Sequence, residues 1–307
     1  MDFSFGIITG ASNNEKNLAW RDNMLCIFDS IRRLKILNYE IVVVGGPNPA
    51  DGRNWHKLHS CPDVVHVPFD DEVVLEILKS EDNDFRKPYP LTDKSGTVHK
   101  KNINFDEKAV NQHDIAAGWI TKKKNLITQN AKYENIVYMH DYHIPRSDWY
   151  EGFLKFGGDW DVCMTKIEDF WGHRFRDWVS WDSPKHGKRK LVDYDDTSQD
   201  FIKHCYISGS YWVAKKKFME ENPLDEQYLW GQGEDLEWSF RIRDTFNYKM
   251  NKFSTVKHIR PKLTGDEKWH IGPFAARGHP PTRHFLGGPG INLERPEDLK
   301  GGPGFDW

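Results

Sequence analysis

An Asp-x-His pair follows a short apolar segment in the middle of the chain. Residues 136–139 (IVYM) have the composition of a buried strand, and Asp141 and His143 come directly after it. On an extended chain, residues i and i+2 point to the same side, so both side chains can face one ion. A carboxylate oxygen and an imidazole nitrogen suit Mn²⁺ or a similar divalent metal that also binds phosphate oxygens. Two ligands do not hold a metal alone, and a turn Asp beside a surface His would give the same pattern.

A second group of acids lies in the sequence WGQGEDLE, residues 230–237. Its glycines allow a backbone bend, so that a helix begins with its carboxylates facing a site. Acids in the first turn of a helix also complement the helix dipole, and this ordinary role is sufficient for Glu234 and Glu237. Asp235, in the glycine-flanked pair, is the better candidate for a general base that removes a proton from a hydroxyl.

His258 is a third candidate, in the sequence TVKHIR. A single histidine at the end of a strand is more often a surface residue or a hydrogen-bonded core residue than a ligand. His258 becomes a candidate third metal ligand only in combination with Asp141 and His143.

The N-terminal half predicts the elements that must position these residues. Residues 3–9 (FSFGIIT), 39–45 (YEIVVVG) and 64–70 (VVHVPFD) read as strands, and residues 23–36 carry apolar side chains at helical spacing. The continuous β-branched segment at 39–45 is typical of a parallel strand that is buried on both faces. This β-α-β-β order predicts an open α/β sheet with ligands at the carboxyl ends of its strands.

The second half predicts a helix over 115–131, strands over 161–167, 206–213 and 253–260, and a glycine turn followed by a helix over 229–246. Residues 85–113 are polar and lack periodicity, which predicts a long loop of the kind that is usually functional. The tail from about residue 285 contains GGPG twice and predicts little regular structure.

Composition excludes several classes of protein. The 307 residues are 29% charged and 38% hydrophobic, a globular balance, and the net charge of −3 provides no basic field for nucleic acid. The four scattered cysteines predict neither a disulfide framework nor a zinc knuckle. No signal peptide and no 18-residue apolar segment is recognisable, so the sequence predicts a soluble, cytoplasmic protein without a membrane span. The 13 tryptophans fit either sugar stacking or a large core.

Taken in order over about residues 3–260, these motifs resemble those of GT-A-fold nucleotide-sugar glycosyltransferases. Asp141-Tyr142-His143 resembles the D-S-H of the polypeptide N-acetylgalactosaminyltransferases. Residues 230–240 resemble their W-G-G-E-N-x-E-x-S-F with one extra residue, and residues 256–259 resemble their V-G-H-I/V. The chain departs from that family at Glu234-Asp235, which resembles the W-G-G-E-D of galactosyltransferases and many inverting family-2-like enzymes. It also lacks that family's lectin domain and cysteine pattern, so the acceptor and the stereochemistry stay open.

The resemblance implies an α/β GT-A (Rossmann-like) fold with a mixed, mostly parallel central sheet and flanking helices. It implies one catalytic domain over residues 1–260, with a nucleotide-binding half (1–145) and an acceptor half (146–260). Residues 261–307 would be a C-terminal extension, either a lid or an ordered wrap. The implied reaction moves a sugar from a nucleoside-diphosphate sugar, with a UDP-sugar favoured, to a hydroxyl of a glycan or other acceptor, in polysaccharide biosynthesis.

The resemblance also implies roles for individual residues. Mn²⁺ (or Mg²⁺) would be held on the donor diphosphate by Asp141, His143 and His258. Asp235 would be the general base of an inverting reaction, and Glu234 would contact sugar or acceptor hydroxyls. The other implied contacts are to the donor from Thr9, Gly10, Ala11, Lys124 and Asn125, and to the acceptor or sugar from Gly209, Trp212, Trp230, Gly233 and Trp269. The alternative for Lys124 and Asn125 is a solvated helix face, and the alternative for Trp212 and Trp230 is the core.

Three alternative functions remain. A retaining GT-A transferase would have the same fold and donor site. A metallophosphoesterase also begins its metal site with D-x-H at a strand end, but it needs later G-D and G-N-H motifs that do not follow Asp141. A carbohydrate-binding protein could use the tryptophans alone, but it would not explain metal-type and acidic residues at successive strand ends.

Overall fold

An eight-stranded sheet is the largest element of the protein. The computed structural model describes residues 1–9, 18–45, 62–69, 73–74, 76, 90–92, 98–100, 119–185, 187–226, 228 and 233–260. The strands are β1 (Phe3–Ile8), β2 (Tyr39–Val44), β3 (Val64–Val67), β4 (Pro90–Thr92), β5 (Val98–Lys100), β6 (Asn135–His140), β7 (His143–Pro145), β8 (Val162–Glu168), β9 (Val179–Ser183), β10 (Gly187–Leu191), β11 (Cys205–Tyr206), β12 (Tyr211–Lys215) and β13 (Tyr248–His258). The helices are α1 (Leu18–Arg33), α2 (Ile120–Asn130), α3 (Trp149–Phe156), α4 (Gln199–Ile202), α5 (Lys216–Glu221) and α6 (Glu234–Ile242).

The strand order in the large sheet is β3-β2-β1-β6-β12-β8-β13-β7. Strands β3, β2, β1 and β6 run parallel, as do β8 and β13, whereas β12 and β7 are antiparallel to their neighbours. The predicted mixed, mostly parallel α/β sheet is therefore confirmed. The chain builds outward from β1 through β2 to β3 and then returns to β6 on the other side of β1. This reversal creates a crevice at the carboxyl ends of β1 and β6, where open α/β sheets bind their ligands.

The apolar segments form the elements that their patterns predict. All six residues of β1 are buried, and so are the last four of β2, because helices cover both faces of the parallel strands. Trp149 of α3 packs against Phe3 and Phe5 of β1, with ring centroids 4.9 and 5.2 Å away. A continuous hydrophobic core thus runs from β1 to α3, and it fixes the sheet that carries the candidate site.

Two predicted strands were wrong in their extent. The strand predicted over 253–260 begins earlier, because β13 spans Tyr248–His258. The segment predicted as a single strand over 206–213 divides into β11 and β12, because the chain turns between them. The turn is closed by a hydrogen bond from the Tyr211 amide to the Ser208 carbonyl oxygen at 3.0 Å. It brings Gly209 to the edge of the candidate site.

Strand β9 pairs with β10 and β11 in a separate three-stranded sheet, and β4 pairs with β5 within the predicted 85–113 loop. The rest of that loop and the whole predicted C-terminal extension lie outside the described residues. Among the helices that the structure describes, none is long and apolar enough to cross a membrane.

Candidate active site

Asp141 lies at the crevice between β1 and β6. The parallel register pairs Ile8 with His140, so the next residues along the two strands, Thr9 and Asp141, are neighbours. The Thr9 hydroxyl donates a hydrogen bond to Asp141 Oδ2 at 2.9 Å, and the Arg260 guanidinium donates one to Oδ1 at 3.0 Å. The carboxylate is buried and has one side-chain partner on each oxygen. Thr9 and Asp141 were both predicted as donor-site residues, and the structure brings them into direct contact.

His143 and His258 form a second pair at the same edge. The chain is not extended after β6: it turns at Asp141 and Tyr142, with the Tyr142 amide bonded to the His140 carbonyl oxygen at 2.8 Å. Strand β7 then pairs with β13 so that His143 lies opposite His258. The two imidazole rings are completely buried and perpendicular, with centroids 4.6 Å apart. Residues that are far apart in sequence therefore meet because of strand pairing rather than i, i+2 spacing.

The donor chemistry of these three residues suits a divalent cation, since carboxylate oxygen and imidazole nitrogen are ligands of Mn²⁺. Their arrangement does not yet form a chelate: within the described part of the chain, no three His, Cys, Asp or Glu side chains are arranged to hold a metal ion. In this conformation the Asp141 carboxylate is engaged by Thr9 and Arg260. Binding a cation at Asp141 would require at least one of these partners to move.

Lys123 is a residue of this site that the sequence reasoning missed. Its ammonium group donates a hydrogen bond to the Thr9 carbonyl oxygen at 2.7 Å, and the residue is only 1% exposed. Burial lowers the pKa of Lys123 to about 7, and the negative charge of Asp141 opposes this shift. The burial of Lys123 could have been predicted from the sequence, because Ile120, Lys123 and Ile127 are spaced so that they lie on the inward-facing side of one helix.

Lys124 is equally buried and contacts a different group of residues. Its ammonium group donates to the Gly209 carbonyl oxygen at 2.8 Å, lies 3.7 Å from Glu234 Oε1, and sits 4.6 Å from the centroid of the Trp212 ring. The alternative of a solvated helix face is therefore wrong, because Lys124 and Asn125 are both buried. The structure places Lys124 beside the predicted acceptor residues rather than at Thr9.

Asn125, also predicted to contact the donor, instead forms hydrogen bonds to the loop at residues 224–226. Its side-chain amide donates to Leu224 O and to Glu226 Oε1, both at 2.9 Å, and accepts from the Leu224 amide at 3.0 Å. These bonds fasten α2 to residues 224–226, so the side chain acts as a structural clamp.

The predicted general base, Asp235, lies in the first turn of α6. Gly233, which precedes the helix, has the left-handed backbone (φ 79°) that glycine adopts without strain, as the glycine turn predicts. Asp235 Oδ2 accepts a hydrogen bond from the Gly209 amide at 3.1 Å, and Oδ1 accepts one from the Leu236 amide at 3.0 Å. A Cβ at Gly209 would come within 2.9 Å of Asp235 Oδ2 and 3.0 Å of Glu234 Oε1, so glycine permits this close approach.

The 208–210 turn connects the two groups. The Ser210 carbonyl oxygen accepts a hydrogen bond from the His140 amide at 3.0 Å, directly before Asp141. Gly209, one residue earlier, contacts Asp235 and Lys124. Asp141 therefore follows β6 directly, and Asp235 binds the turn beside the last residue of the same strand.

Trp212 is a core residue and does not offer a face to a sugar. The side chain is completely buried, and it stacks on Tyr138 with ring centroids 4.7 Å apart and planes 17° from parallel. The ammonium group of Lys124 lies over the ring. The stacking role predicted for Trp212 is wrong for this physical reason, whereas Gly10, Ala11, Trp230 and Trp269 lie outside the described residues.

A buried Asp-His pair after β8 was also missed. The parallel register pairs Glu168 with Lys257, which places Asp169 alongside His258. Asp169 Oδ1 accepts hydrogen bonds from the Trp171 and His173 amides at 2.9 and 2.8 Å, and Oδ2 lies 3.4 Å from His173 Nδ1. Its sequence signal is an aspartate directly after a strand, just before a segment rich in aromatic residues (FWGHRFRDWVSWD, 170–182).

Comparisons with known proteins concern the fold. The structure is similar to that of GalNAc-T7, solved with UDP, GalNAc and Mn²⁺, with a TM-score of 0.50 and 13% sequence identity over 87% of this chain and 45% of that chain. It is also similar to S. aureus TarS 1-349 (TM-score 0.45, 10% identity, 83% of this chain and 60% of that chain) and to the same protein in complex with UDP-GlcNAc (TM-score 0.47, 10% identity, 85% and 60%).

The chain therefore spans between 45% and 60% of the length of these structures. No protein-family model and no curated protein sequence matches it. At this level of identity the likeness concerns the fold alone. Together with the strand order, it shows that the chain has the GT-A fold: a mixed, mostly parallel sheet with flanking helices.

Proposed function

We propose that the protein is a glycosyltransferase that moves a sugar from a nucleoside-diphosphate sugar to a hydroxyl group of a glycan or other acceptor. A UDP-sugar is the favoured donor, and the proposed reaction inverts the anomeric centre. The observation that carries the proposal is that Asp141 follows β6 and Asp235 binds the turn beside the carboxyl end of that strand, in a GT-A fold.

The proposed donor side consists of Thr9, Lys123 and Asp141. Thr9 and Asp141 lie at the carboxyl ends of β1 and β6, the crevice where this class of sheet binds nucleotides, and Lys123 of α2 reaches the Thr9 carbonyl oxygen there. Lys123 brings a cation close to the carboxylate, and a bound diphosphate would favour its charged form. The first loop, with Gly10 and Ala11, would hold the nucleoside.

The proposed acceptor side is the first turn of α6. Asp235 would accept the proton of the acceptor hydroxyl while the oxygen of that hydroxyl forms a bond to the anomeric carbon. The bond from that carbon to the diphosphate breaks, and the nucleoside diphosphate leaves with the electron pair. The two backbone amides that bind Asp235 leave each of its oxygens a further lone pair for the proton. Glu234 would orient the acceptor side through Lys124 and the Gly209 turn.

Asp141, His143 and His258 are the residues that would hold Mn²⁺ or Mg²⁺. Such an ion, when bound, would act as a Lewis acid that neutralises the leaving diphosphate. GalNAc-T7, the structural neighbour, was solved with UDP and Mn²⁺. In this chain the three side chains supply the appropriate donor atoms, and the two histidines are already paired.

Nucleotide binding tests the proposal most directly. We expect isothermal titration of the full chain to show UDP binding that becomes stronger in Mn²⁺, with GDP and ADP as matched nucleotide controls. A screen of UDP-, GDP- and dTDP-sugars for nucleotide release would then identify the donor. If no nucleoside diphosphate binds in the presence or absence of Mn²⁺, the protein is not a transferase of this kind.

The stereochemistry is tested by the product. NMR of the transferred sugar reports the configuration of the anomeric carbon, and we expect it to be opposite to that of the donor. A retained configuration would exclude a direct displacement with Asp235 as base and would favour the retaining alternative.

A further inference from the structure

Arg260 occupies an unusual position for a positively charged residue in a proposed cation site. Its guanidinium donates to Asp141 Oδ1 at 3.0 Å, and its Cζ atom lies 5.2 Å from the centroid of the Tyr142 ring. The backbone supports this position, because the Ile259 amide bonds to the Tyr142 carbonyl oxygen at 2.9 Å. The Arg260 side chain is 51% exposed, whereas that of Asp141 is 11% exposed. The ion pair thus joins a buried acid to a cation at the rim.

The charge of the site explains why Arg260 is there. A buried carboxylate destabilises the folded protein unless it is hydrogen-bonded and paired, and Thr9 and Arg260 together provide both. A divalent cation that bound to the same carboxylate would lie within a few ångströms of the guanidinium, where like charges repel. Arg260 and a divalent cation therefore cannot both contact Asp141 at low energy.

We propose that Arg260 is an exchangeable counter-ion of Asp141. It neutralises the buried carboxylate while the site is empty, and it moves into solvent when a divalent cation binds. Because half of its side chain is already exposed, Arg260 can leave without unfolding its surroundings. The inference rests on the proposed function, which assigns the cation to Asp141, His143 and His258.

The exchange predicts two effects of opposite sign for Arg260→Ala. The variant loses the partner of Asp141, so the metal-free protein should melt lower, by about 2 to 4 °C. It also loses the competitor, so Mn²⁺ should bind about tenfold more tightly, an order-of-magnitude expectation for removing one nearby positive charge. A merely structural arginine would give the first effect without the second, because damage to the site weakens metal binding.

The experiment measures Mn²⁺ binding to the full chain by isothermal titration or by loss of the free-ion EPR signal, without nucleotide. The variants are Arg260→Ala, Arg260→Lys, which retains the charge, and Asp141→Asn, which removes the shared carboxylate. Arg241→Ala is the matched control, because Arg241 also pairs with a carboxylate, that of Glu237 at 2.7 Å on α6. We expect the tightest Mn²⁺ binding in Arg260→Ala, a smaller gain in Arg260→Lys, no change in Arg241→Ala, and loss of binding in Asp141→Asn.

Each outcome decides the inference. Mn²⁺ affinity that is unchanged or weaker in both Arg260 variants would overturn it, as would the absence of binding in the wild type and in both variants. Binding that appears only after Arg260 is replaced would support it strongly. These results are distinct from a failure of the proposed function, which would appear as an absence of nucleotide binding whatever Arg260 does.

Discussion

Two aspartates near the carboxyl end of β6 are held in different ways. Asp141 is bound by two side chains, the Thr9 hydroxyl and the Arg260 guanidinium, whereas Asp235 accepts hydrogen bonds from the backbone amides of Gly209 and Leu236. Side-chain partners can be exchanged for a ligand, but backbone partners are fixed by the fold. A carboxylate that must bind a cation benefits from the first arrangement, and a base that must stay in one place benefits from the second.

Neutralising each carboxylate in turn tests most directly whether the two aspartates have different roles. We expect Asp141→Asn to weaken UDP binding in Mn²⁺ by about 100-fold or more, because the proposed cation loses its charged ligand. We expect Asp235→Asn to bind UDP as the wild type does but to transfer sugar about 10² to 10⁴ times more slowly, because an amide cannot accept the proton. Titration calorimetry and a transfer assay measure the two effects separately.

The opposite pattern would be decisive for the assignment. If Asp235→Asn transfers sugar at the normal rate, Asp235 is not the base. If Asp141→Asn retains metal-strengthened UDP binding, the cation is held elsewhere. Glu237→Gln is the matched control, because Glu237 is also in the first turn of α6 but pairs with Arg241.

Replacing Lys124 tests how much its buried contacts on the acceptor side stabilise the folded protein. Lys124→Met would leave the buried Glu234 carboxylate and the Gly209 carbonyl oxygen without the ammonium group. We expect a loss of about 3 kcal/mol in the free energy of unfolding, measured with urea. Lys122→Met is the matched control: Lys122 pairs with Glu226 nearer the surface, at 2.6 Å, so its loss should cost below about 1 kcal/mol. Equal losses in the two variants would contradict a special role for Lys124.

The different contacts of the adjacent Lys123 and Lys124 show how much of the site the sequence predicts. The strands at 3–9, 39–45 and 64–70 were predictable because β-branched and apolar runs specify buried strands locally. The Asp-x-His motif was also recognisable as a candidate site, since it follows such a strand. Which lysine of α2 meets Thr9 was not predicted, because a sequence gives the helix stripe but not the position of the neighbouring strand.

The remaining errors have the same physical origin. Whether a tryptophan stacks on a sugar or lies in the core depends on what covers its two faces, and Trp212 is covered by Tyr138 and Lys124. Arg260 was not predicted either, although it is only two residues after His258, because its partner Asp141 follows a different strand, β6. Contacts of this kind are set by strand order and register, which no local pattern in the sequence encodes.

Titration of Lys123 sharpens the description of the donor side. Its pKa is about 7 in the folded protein and returns to its ordinary value, 10.5, on unfolding. Between these values the unfolded chain holds more protons than the native one, so the free energy of unfolding rises as the pH rises. We expect the wild type to gain about 2 kcal/mol relative to Lys123→Met between pH 7 and pH 9.

Urea denaturation of both proteins across this range measures the difference, in which the contributions of all other titrating groups cancel. The slope with pH is the diagnostic quantity, because loss of the hydrogen bond to Thr9 gives an offset that does not depend on pH. A difference that stays constant from pH 7 to pH 9 would mean that Lys123 remains charged in the folded protein. The negative charge of Asp141 would then offset the effect of burial on the pKa of Lys123.

The smallest expected effect on stability, and the most local one, comes from Gly209→Ala. Its backbone conformation is open to alanine, but the new Cβ would lie 2.9 Å from Asp235 Oδ2, so the carboxylate must shift by a few tenths of an ångström. We expect a loss of about 1 to 2 kcal/mol in unfolding free energy, unchanged UDP affinity and clearly slower transfer. Gly158→Ala is the control, because the nearest atom to its Cβ would be Met1 Cε at 3.5 Å, an ordinary contact. If Gly209→Ala weakens UDP binding as much as it slows transfer, the two aspartates do not serve separate sides of the site, because moving Asp235 alone would then disturb the donor.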